Sequence, residues 1–301
     1  LALVSLSTWI PGNPTDQNHH GVAAKLYAKD ITDYDLSVIL PTLSVMGVQV
    51  CPVPTTVFST HTGGLGSVEQ RDLSDFTLPC LEHYRRLGLE FECVYSGFLS
   101  SQEQIDHCLK FFSTYQDALA VVDPVMGDHG RPYRTITPQM RSRLGELVRV
   151  ADIITPNLTE ACMLLKIPYF NEGLSRAQAK SLLVRLSELG PNYVVITGAP
   201  MASGSIANIG YDRQNNSFWY IDCDYVPVSY PGTGDLFASV LTGGFLTGDS
   251  LPMAMGRAAY FVERCIKTTF SYSSDTRYGV MLEKELGVLI DRQNIKDFSL
   301  L

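Results

Sequence analysis

The residues best suited to chemistry lie in the stretch 230–237, where a glycine-rich turn leads into an apolar helical pattern. Gly232 and Gly234 let backbone N–H groups approach a ligand without an intervening Cβ. The first turn of a helix has unpaired N–H donors and a partial positive charge, so the stretch, with Thr233, predicts a phosphate site. Asp235 would repel phosphate, and we interpret it as a base that takes a proton from an attacking hydroxyl. A plain helix N-cap is the alternative, and an isolated Gly-x-Gly-Asp would favour it.

A second group of polar residues follows short apolar runs that have the pattern of buried strands. Asp123 closes one run, Thr155 closes the next, and Thr197-Gly198 closes a third. Parallel sheets bind ligands beyond the carboxyl ends of their strands, so these groups are expected along one edge. Taken alone, Asp123 could equally be a turn aspartate.

Asn157 and Glu160 are three residues apart at the start of a predicted helix, so both face one side of it. One interpretation is a capping box, in which the two side chains satisfy backbone N–H groups. The other is that they hold hydrated Mg²⁺ beside a triphosphate, because Mg²⁺ keeps several waters and needs only one or two carboxylates.

The loop 59–64 combines hydroxyls, an imidazole and two glycines, a composition too polar for a core. Ser59, His61 and Thr62 could line a pocket for a polar heterocycle. A lone histidine is more often a structural group with its hydrogen bonds satisfied, so that alternative stays open for His61.

Helical and strand patterns alternate along the chain, which predicts a parallel sheet with helices on both faces. The predicted helices are 36–46, 78–87, 102–112, 138–148, 158–165, 175–189, one from 236, 251–269 and 282–291. The predicted strands are 48–57, 91–95, 118–122, 152–155 and 193–197, with a hairpin of 206–211 and 217–221. Residues 1–29 are interpreted as a leader or loop, and 30–301 as a single domain.

Composition excludes several classes of protein. The net charge of −8 disfavours a nucleic-acid surface. Seven dispersed cysteines are typical of reduced thiols in a cytoplasmic protein. No apolar run approaches the ~18 residues of a membrane helix, so no membrane partner is expected.

Taken together, several segments resemble the ribokinase-like superfamily and, within it, the pyridoxal/pyridoxamine kinase family. They are residues 55–64, 95–99, 123–128, 152–160, 196–198 and 232–235. The pieces D-P-V-M-G-D and S-x-H-T-G-G point to the pyridoxal kinases. The resemblance implies an α/β fold: a ribokinase-like three-layer α/β/α sandwich with a central, mostly parallel sheet.

The resemblance also implies a role for each matching residue. Asp235 corresponds to the base that deprotonates the substrate's hydroxymethyl group. The remaining positions are an anion hole of Gly232, Thr233 and Gly234; ATP contacts at Asp123, Thr155, Asn157, Thr197 and Gly198; metal ligands Asp123 and Glu160; and substrate contacts at Asp30, Thr56, Ser59, His61, Thr62 and Phe98.

The implied activity is ATP-dependent phosphorylation of the 5′ hydroxymethyl group of a vitamin B6 vitamer, with Mg²⁺ and, as a further candidate, a monovalent cation. A homodimer is expected from the family alone. Three alternatives remain: a hydroxymethylpyrimidine kinase, a sugar kinase, and a non-catalytic vitamer-binding relative. The sugar kinase is disfavoured because no N-terminal Gly-Gly motif is present, and the last is motivated by a shortened loop after Asp30.

Overall fold

The computed structural model describes residues 2–5, 34–61, 65–170, 172–224 and 226–301. The predicted substrate residues Asp30 and Thr62 lie outside these ranges. The helices are α1 (Tyr34–Val45), α2 (Ser74–Arg86), α3 (Gln102–Thr114), α4 (Pro138–Val150), α5 (Leu158–Leu165), α6 (Arg176–Ser187), α7 (Thr233–Leu246) and α8 (Leu251–Ser271). The strands are β1 (Ala2–Ser5), β2 (Gln49–Pro52), β3 (Thr56–Phe58), β4 (Gln70–Asp72), β5 (Cys93–Ser96), β6 (Leu119–Val122), β7 (Gly127–Asp128), β8 (Arg131–Pro132), β9 (Ile153–Ile154), β10 (Tyr193–Pro200), β11 (Ile206–Asp212), β12 (Ser217–Cys223) and β13 (Ser299–Leu300).

The central sheet has nine strands in the order β13-β12-β11-β10-β9-β6-β5-β1-β2. The four middle strands, β5, β6, β9 and β10, pair in parallel, while the pairings toward both edges are antiparallel. β2 and β12 are each separated from the middle strands by one antiparallel strand, so both run in the same direction as the middle four. The prediction of a central, mostly parallel sheet is confirmed.

Side chains that alternate along the middle strands build two cores, one on each face of the sheet. Val94 points into a core with α2 to α6, whereas the next residue, Tyr95, points into a core with α1, α7 and α8. Both are fully buried. Two helical layers therefore enclose the sheet, as the resemblance implied, and they leave its carboxyl end open.

The predicted last helix, 282–291, is wrong. The structure has two short 3₁₀-helices there, Leu282–Lys284 and Leu286–Ile290. Glu285 between them is buried and accepts hydrogen bonds from Arg264 Nε (3.0 Å) and Thr268 Oγ1 (2.5 Å) on α8. These bonds fix the turn to α8, and Gly287 weakens a continuous helix further.

The predicted strand 48–57 is divided into β2 and β3, with Pro54 between them. β3 leaves the central sheet and pairs with β4, which the sequence did not predict. Within the segment interpreted as a leader, Ala2–Ser5 forms β1, between β2 and β5 of the main sheet. These four residues are therefore part of the fold, and the boundary at residue 29 remains a prediction.

Among the described residues, no helix combines the length and apolar composition needed to cross a bilayer.

Candidate active site

A cleft of about 1310 Å³ opens at the carboxyl ends of β6, β9 and β10. It brings together most of the predicted site residues, from distant parts of the chain: His61, Asp123, Thr155, Asn157, Glu160, Thr197, Gly198, Gly232, Thr233, Gly234 and Asp235. Thr56, Ser59 and Phe98 do not line it. The strand-end rule thus located the cleft, while part of the predicted substrate loop lies elsewhere.

The N-terminus of α7 forms one wall of the cleft. Gly232 is the N-cap residue, with φ of +81°, and no side chain caps the helix. The first helical bond is donated by the N–H of Leu236 to the Gly232 carbonyl (3.0 Å), so the N–H groups of Thr233 and Gly234 have no partner within the helix. A Cβ built on Gly234 would meet nothing within 4 Å, which leaves space for a ligand against the backbone. The turn has the geometry of an anion site.

Asp235 lies in the first turn of α7, half-buried at the cleft. Because Gly232 occupies the N-cap position, the alternative that Asp235 is the N-cap is wrong. Its backbone carbonyl accepts a hydrogen bond from Ser239 Oγ (2.6 Å), which fixes the turn from the helix side. A carboxylate is thereby held beside the anion-binding end of a helix, where it can take a proton from a hydroxyl that approaches the anion.

Asp123 and Glu160 form a pair of buried carboxylates across the cleft floor, with exposed fractions of 6% and 4%. Burial, and then the charge of Asp123, raise the pKa of Glu160 well above its usual range. A bound divalent cation would stabilise the negative charges of both residues. In the described part of the chain, no group of three or more His, Cys, Asp or Glu residues could hold a metal. The pair alone nevertheless fits Mg²⁺, which keeps its waters and binds through one or two carboxylates plus phosphate.

The capping box at α5 is also present. Asn157 Oδ1 accepts from the Glu160 N–H (3.0 Å), and Glu160 Oε2 accepts from the Asn157 N–H (2.9 Å). The same side chains reach β7, since Glu160 Oε1 accepts from the Met126 N–H (2.9 Å) and Asn157 Nδ2 donates to the Gly127 carbonyl (2.9 Å). The two interpretations of this pair are compatible, because the capping contacts hold the carboxylate in the cleft.

The hydroxyl of Thr155 is buried and has no hydrogen-bond partner. Thr155 is 4% exposed, yet it lines the cleft. An unpartnered buried hydroxyl costs about 1–3 kcal/mol. A phosphate oxygen in the cleft would satisfy it, which agrees with the predicted role of this residue.

The four predicted substrate residues that the structure describes separate into two groups. His61 lines the cleft, and its Nε2 is 2.6 Å from the backbone carbonyl oxygen of Arg277, to which it can donate. The others stabilise the β3–β4 ribbon: Thr56 Oγ1 accepts from Gln104 Nε2 (3.0 Å), Ser59 Oγ accepts from the Glu69 N–H (3.0 Å), and Phe98 packs edge-on against Phe58. Their contacts account for them structurally, and their substrate roles remain predictions.

Several residues that line the cleft had no role predicted from the sequence. The β7–β8 hairpin and the residue after it contribute Asp128, His129, Arg131 and Tyr133, and the opposite end contributes Asn208, Cys223, Asp224, Val226, Pro227, Val228, Ala259, Val262, Glu263 and Ile266. Partial burial raises the pKa of the Tyr133 phenol, and the carboxylates of Glu160, Asp128, Asp235 and Asp123 raise it further. The only available signal for Tyr133 was its position shortly after the D-P-V-M-G-D segment.

The residues at the far end of the cleft are mostly apolar, and two carboxylates of an ion cluster, Asp224 and Glu263, lie among them. Lys296 contacts both Asp224 and Glu263, and the Asp224 N–H donates to Glu263 Oε1 (2.9 Å). These contacts fix Asp224, the residue directly after β12. No sequence pattern indicated the far end of the cleft, because its residues come from separate elements, among them β11, β12 and α8.

The known proteins that this chain resembles are kinases of small molecules. A family model described as phosphomethylpyrimidine kinase matches residues 40–279. A solved structure of a putative phosphomethylpyrimidine kinase from Bacteroides thetaiotaomicron, in a form with pyridoxal, is 40% identical, with a TM-score of 0.84, covering 88% of this chain and 94% of that one. A pyridoxal kinase of Corynebacterium diphtheriae is 26% identical, covering 81% of this chain and 86% of its own. A hydroxymethylpyrimidine/phosphomethylpyrimidine kinase of Mycobacterium tuberculosis is 25% identical, covering 76% and 82%.

Proposed function

The chain belongs to the phosphomethylpyrimidine kinase family, whose enzymes transfer a phosphoryl group to a hydroxyl group, and we propose that it phosphorylates the 5′ hydroxymethyl group of a vitamin B6 vitamer with ATP. The observation that carries the proposal is the meeting, in one cleft, of Asp235 at the start of α7 with the buried pair Asp123 and Glu160. A base, an anion site and a cation site are the parts that phosphoryl transfer requires.

Each part has a defined task in the proposed reaction. Asp235 takes the proton of the hydroxymethyl oxygen as that oxygen forms a bond to the γ-phosphorus and the bond to the β-phosphate oxygen breaks, releasing ADP. The N–H groups of Thr233 and Gly234 stabilise the negative charge of the transferred group. Asp123 and Glu160 would hold Mg²⁺, which when bound neutralises charge on the triphosphate. The Thr155 hydroxyl donates a hydrogen bond to a phosphate oxygen.

The vitamer is favoured over hydroxymethylpyrimidine by the S-x-H-T-G-G loop and by the 40% identical relative whose structure was solved with pyridoxal. Hydroxymethylpyrimidine stays the second candidate, because the family model and the M. tuberculosis relative are named for pyrimidine substrates. A site built on hydrogen bonds discriminates strongly against ligands that lack the partner group. Hydroxymethylpyrimidine lacks the ring hydroxyl of the vitamers.

Steady-state kinetics on the purified protein test this choice. With saturating MgATP, we expect kcat/KM for at least one of pyridoxal, pyridoxamine and pyridoxine to exceed that for hydroxymethylpyrimidine. The product should carry its phosphate on the 5′ oxygen. A higher kcat/KM for hydroxymethylpyrimidine than for all three vitamers would overturn the substrate assignment and leave the kinase assignment intact.

His61→Ala is expected to raise KM for the preferred vitamer more than KM for ATP. The imidazole lines the cleft, but it also contacts the Arg277 carbonyl, so its loss has a structural component. His61→Gln separates the two, because its amide can still donate to that carbonyl. His83→Ala, an exposed histidine on α2, is the matched control. Full recovery of the vitamer KM in His61→Gln would assign His61 to the Arg277 contact alone.

A further inference from the structure

The pairing of β10 with β11 is interrupted at the cleft. Ile196 pairs with Ile209 and Ala199 pairs with Ala207, so three steps along β10 face two steps along β11. The extra residue makes a β-bulge at Thr197-Gly198, opposite Asn208. Bulges beside active sites re-aim side chains and backbone. Here the bulge places both Thr197 and Gly198 on the cleft.

The side chain of Asn208 occupies the gap that the bulge leaves in the ladder. Its Oδ1 accepts from the Gly198 N–H (3.0 Å), and its Nδ2 donates to Cys223 Sγ on β12 (3.2 Å). Asn208 is 6% exposed, so both ends of the amide are used within the protein. The Thr197 N–H donates to the Pro156 carbonyl (3.0 Å), which holds the bulge from the β9 side. The bulge is therefore fixed from both neighbouring strands.

The shape of the bulge is one that a ligand can approach. Gly198 has φ of +58°, and a Cβ built on it would meet nothing within 4 Å. In this left-handed conformation the Gly198 N–H donates to the Asn208 side chain. Without an acceptor for its N–H, Gly198 would lose the contact that favours this conformation.

We propose that Asn208 is a positioning residue for the phosphoryl donor: its amide holds the Thr197-Gly198 bulge in the shape that receives the polyphosphate of a nucleotide. The inference rests on the proposed function, in which the donor binds between Thr155, Thr197 and the start of α7. Asn208 suits this task because one short side chain supplies an acceptor to Gly198 and a donor to Cys223. Leucine at this position would fill similar space and supply neither.

The test is nucleotide affinity in the absence of an acceptor, followed by kinetics. Asn208→Leu should raise the Kd for MgADP and the KM for ATP about tenfold, because part of the binding free energy would then be needed to restore the shape of the bulge. We expect kcat and the KM of the acceptor to stay within about threefold of wild type. Gly198→Ala should weaken nucleotide binding in the same direction, because alanine resists a φ of +58°. This variant also keeps the test open if Asn208→Leu does not fold.

Asn215→Ala is the matched control. Asn215 lies in the turn of the same β11–β12 hairpin and donates to Asp212 Oδ2 (2.6 Å), at the end opposite the cleft. It should lower the melting temperature and leave the Kd for MgADP unchanged. A folded Asn208→Leu protein with wild-type affinity, or with kcat lowered and KM for ATP unchanged, would overturn the inference alone. Absence of nucleotide binding by the wild-type protein would overturn the proposed function as well.

Discussion

Replacing Asp235 by asparagine is expected to lower kcat by about 10²–10⁴-fold, the usual contribution of a general base. Asparagine is nearly isosteric, so the fold and the affinity for nucleotide should persist. Asp235 lies in the first turn of α7, and loss of its charge should cost only about 0.3–1 kcal/mol of helix stabilisation. The substitution should therefore lower kcat strongly and the free energy of unfolding only slightly. The first is measured as kcat at saturating substrates, and the second by thermal denaturation.

The control for that experiment is Asp75→Asn. Asp75 is an exposed aspartate in the first turn of α2, outside the cleft, so it reproduces the helix effect without the chemistry. Its kcat should equal that of the wild-type protein. If Asp235→Asn kept kcat within about threefold, the assignment of Asp235 as the base would be wrong, and its position at the helix start would be its whole role.

Glu160→Gln is expected to raise the Mg²⁺ concentration for half-maximal rate by about 10–100-fold, the range seen when groups that support a metal site are lost. The carboxylate is buried beside Asp123, and an amide cannot supply the negative charge that balances the cation. A glutamine also has one acceptor oxygen for two backbone N–H donors, those of Met126 and Asn157. The melting temperature should fall in parallel.

A second capping box in the same protein provides the control for Glu160. Ser175 and Gln178 cap α6 with the same reciprocal bonds, and Gln178 is exposed and does not line the cleft. Gln178→Ala should lower the melting temperature without changing the Mg²⁺ response. The metal role of Glu160 is contradicted if Glu160→Gln behaves in the same way, with reduced stability and an unaltered Mg²⁺ dependence.

The cleft floor could be predicted from the sequence because its signals are local. The buried run that becomes β6 ends at Asp123, and α5 has the limits that its pattern and cap predict. A strand's apolar run and the polar residue after it are adjacent in the chain, and parallel strands bring such ends to one edge. The fold class followed from the same alternation of elements.

The far end of the cleft and the side-chain contacts of Thr56 could not be predicted, because their determinants are not local. Thr56 belongs to the loop motif, yet Gln104 of α3 binds it away from the cleft. Asn208 lies in a β11 that reads as an ordinary hairpin strand, and only the register with β10 reveals the bulge that it completes. The placement of Thr56 and Asn208 depends on contacts between residues that are distant in the sequence. Neither composition nor periodicity indicates such contacts.

The shared use of Asn157 and Glu160 also constrains how this protein can change over generations. A mutation that removes either side chain would affect the start of α5 and the proposed cation site at once, because the same atoms serve both in the proposal. Selection for a stable chain alone would therefore preserve part of the proposed catalytic site, even in a lineage that no longer needed the reaction. Replacement of Asp235, the proposed base, is expected to cost the fold little, so a descendant that lost the proposed reaction by drift would be expected to lose this residue first.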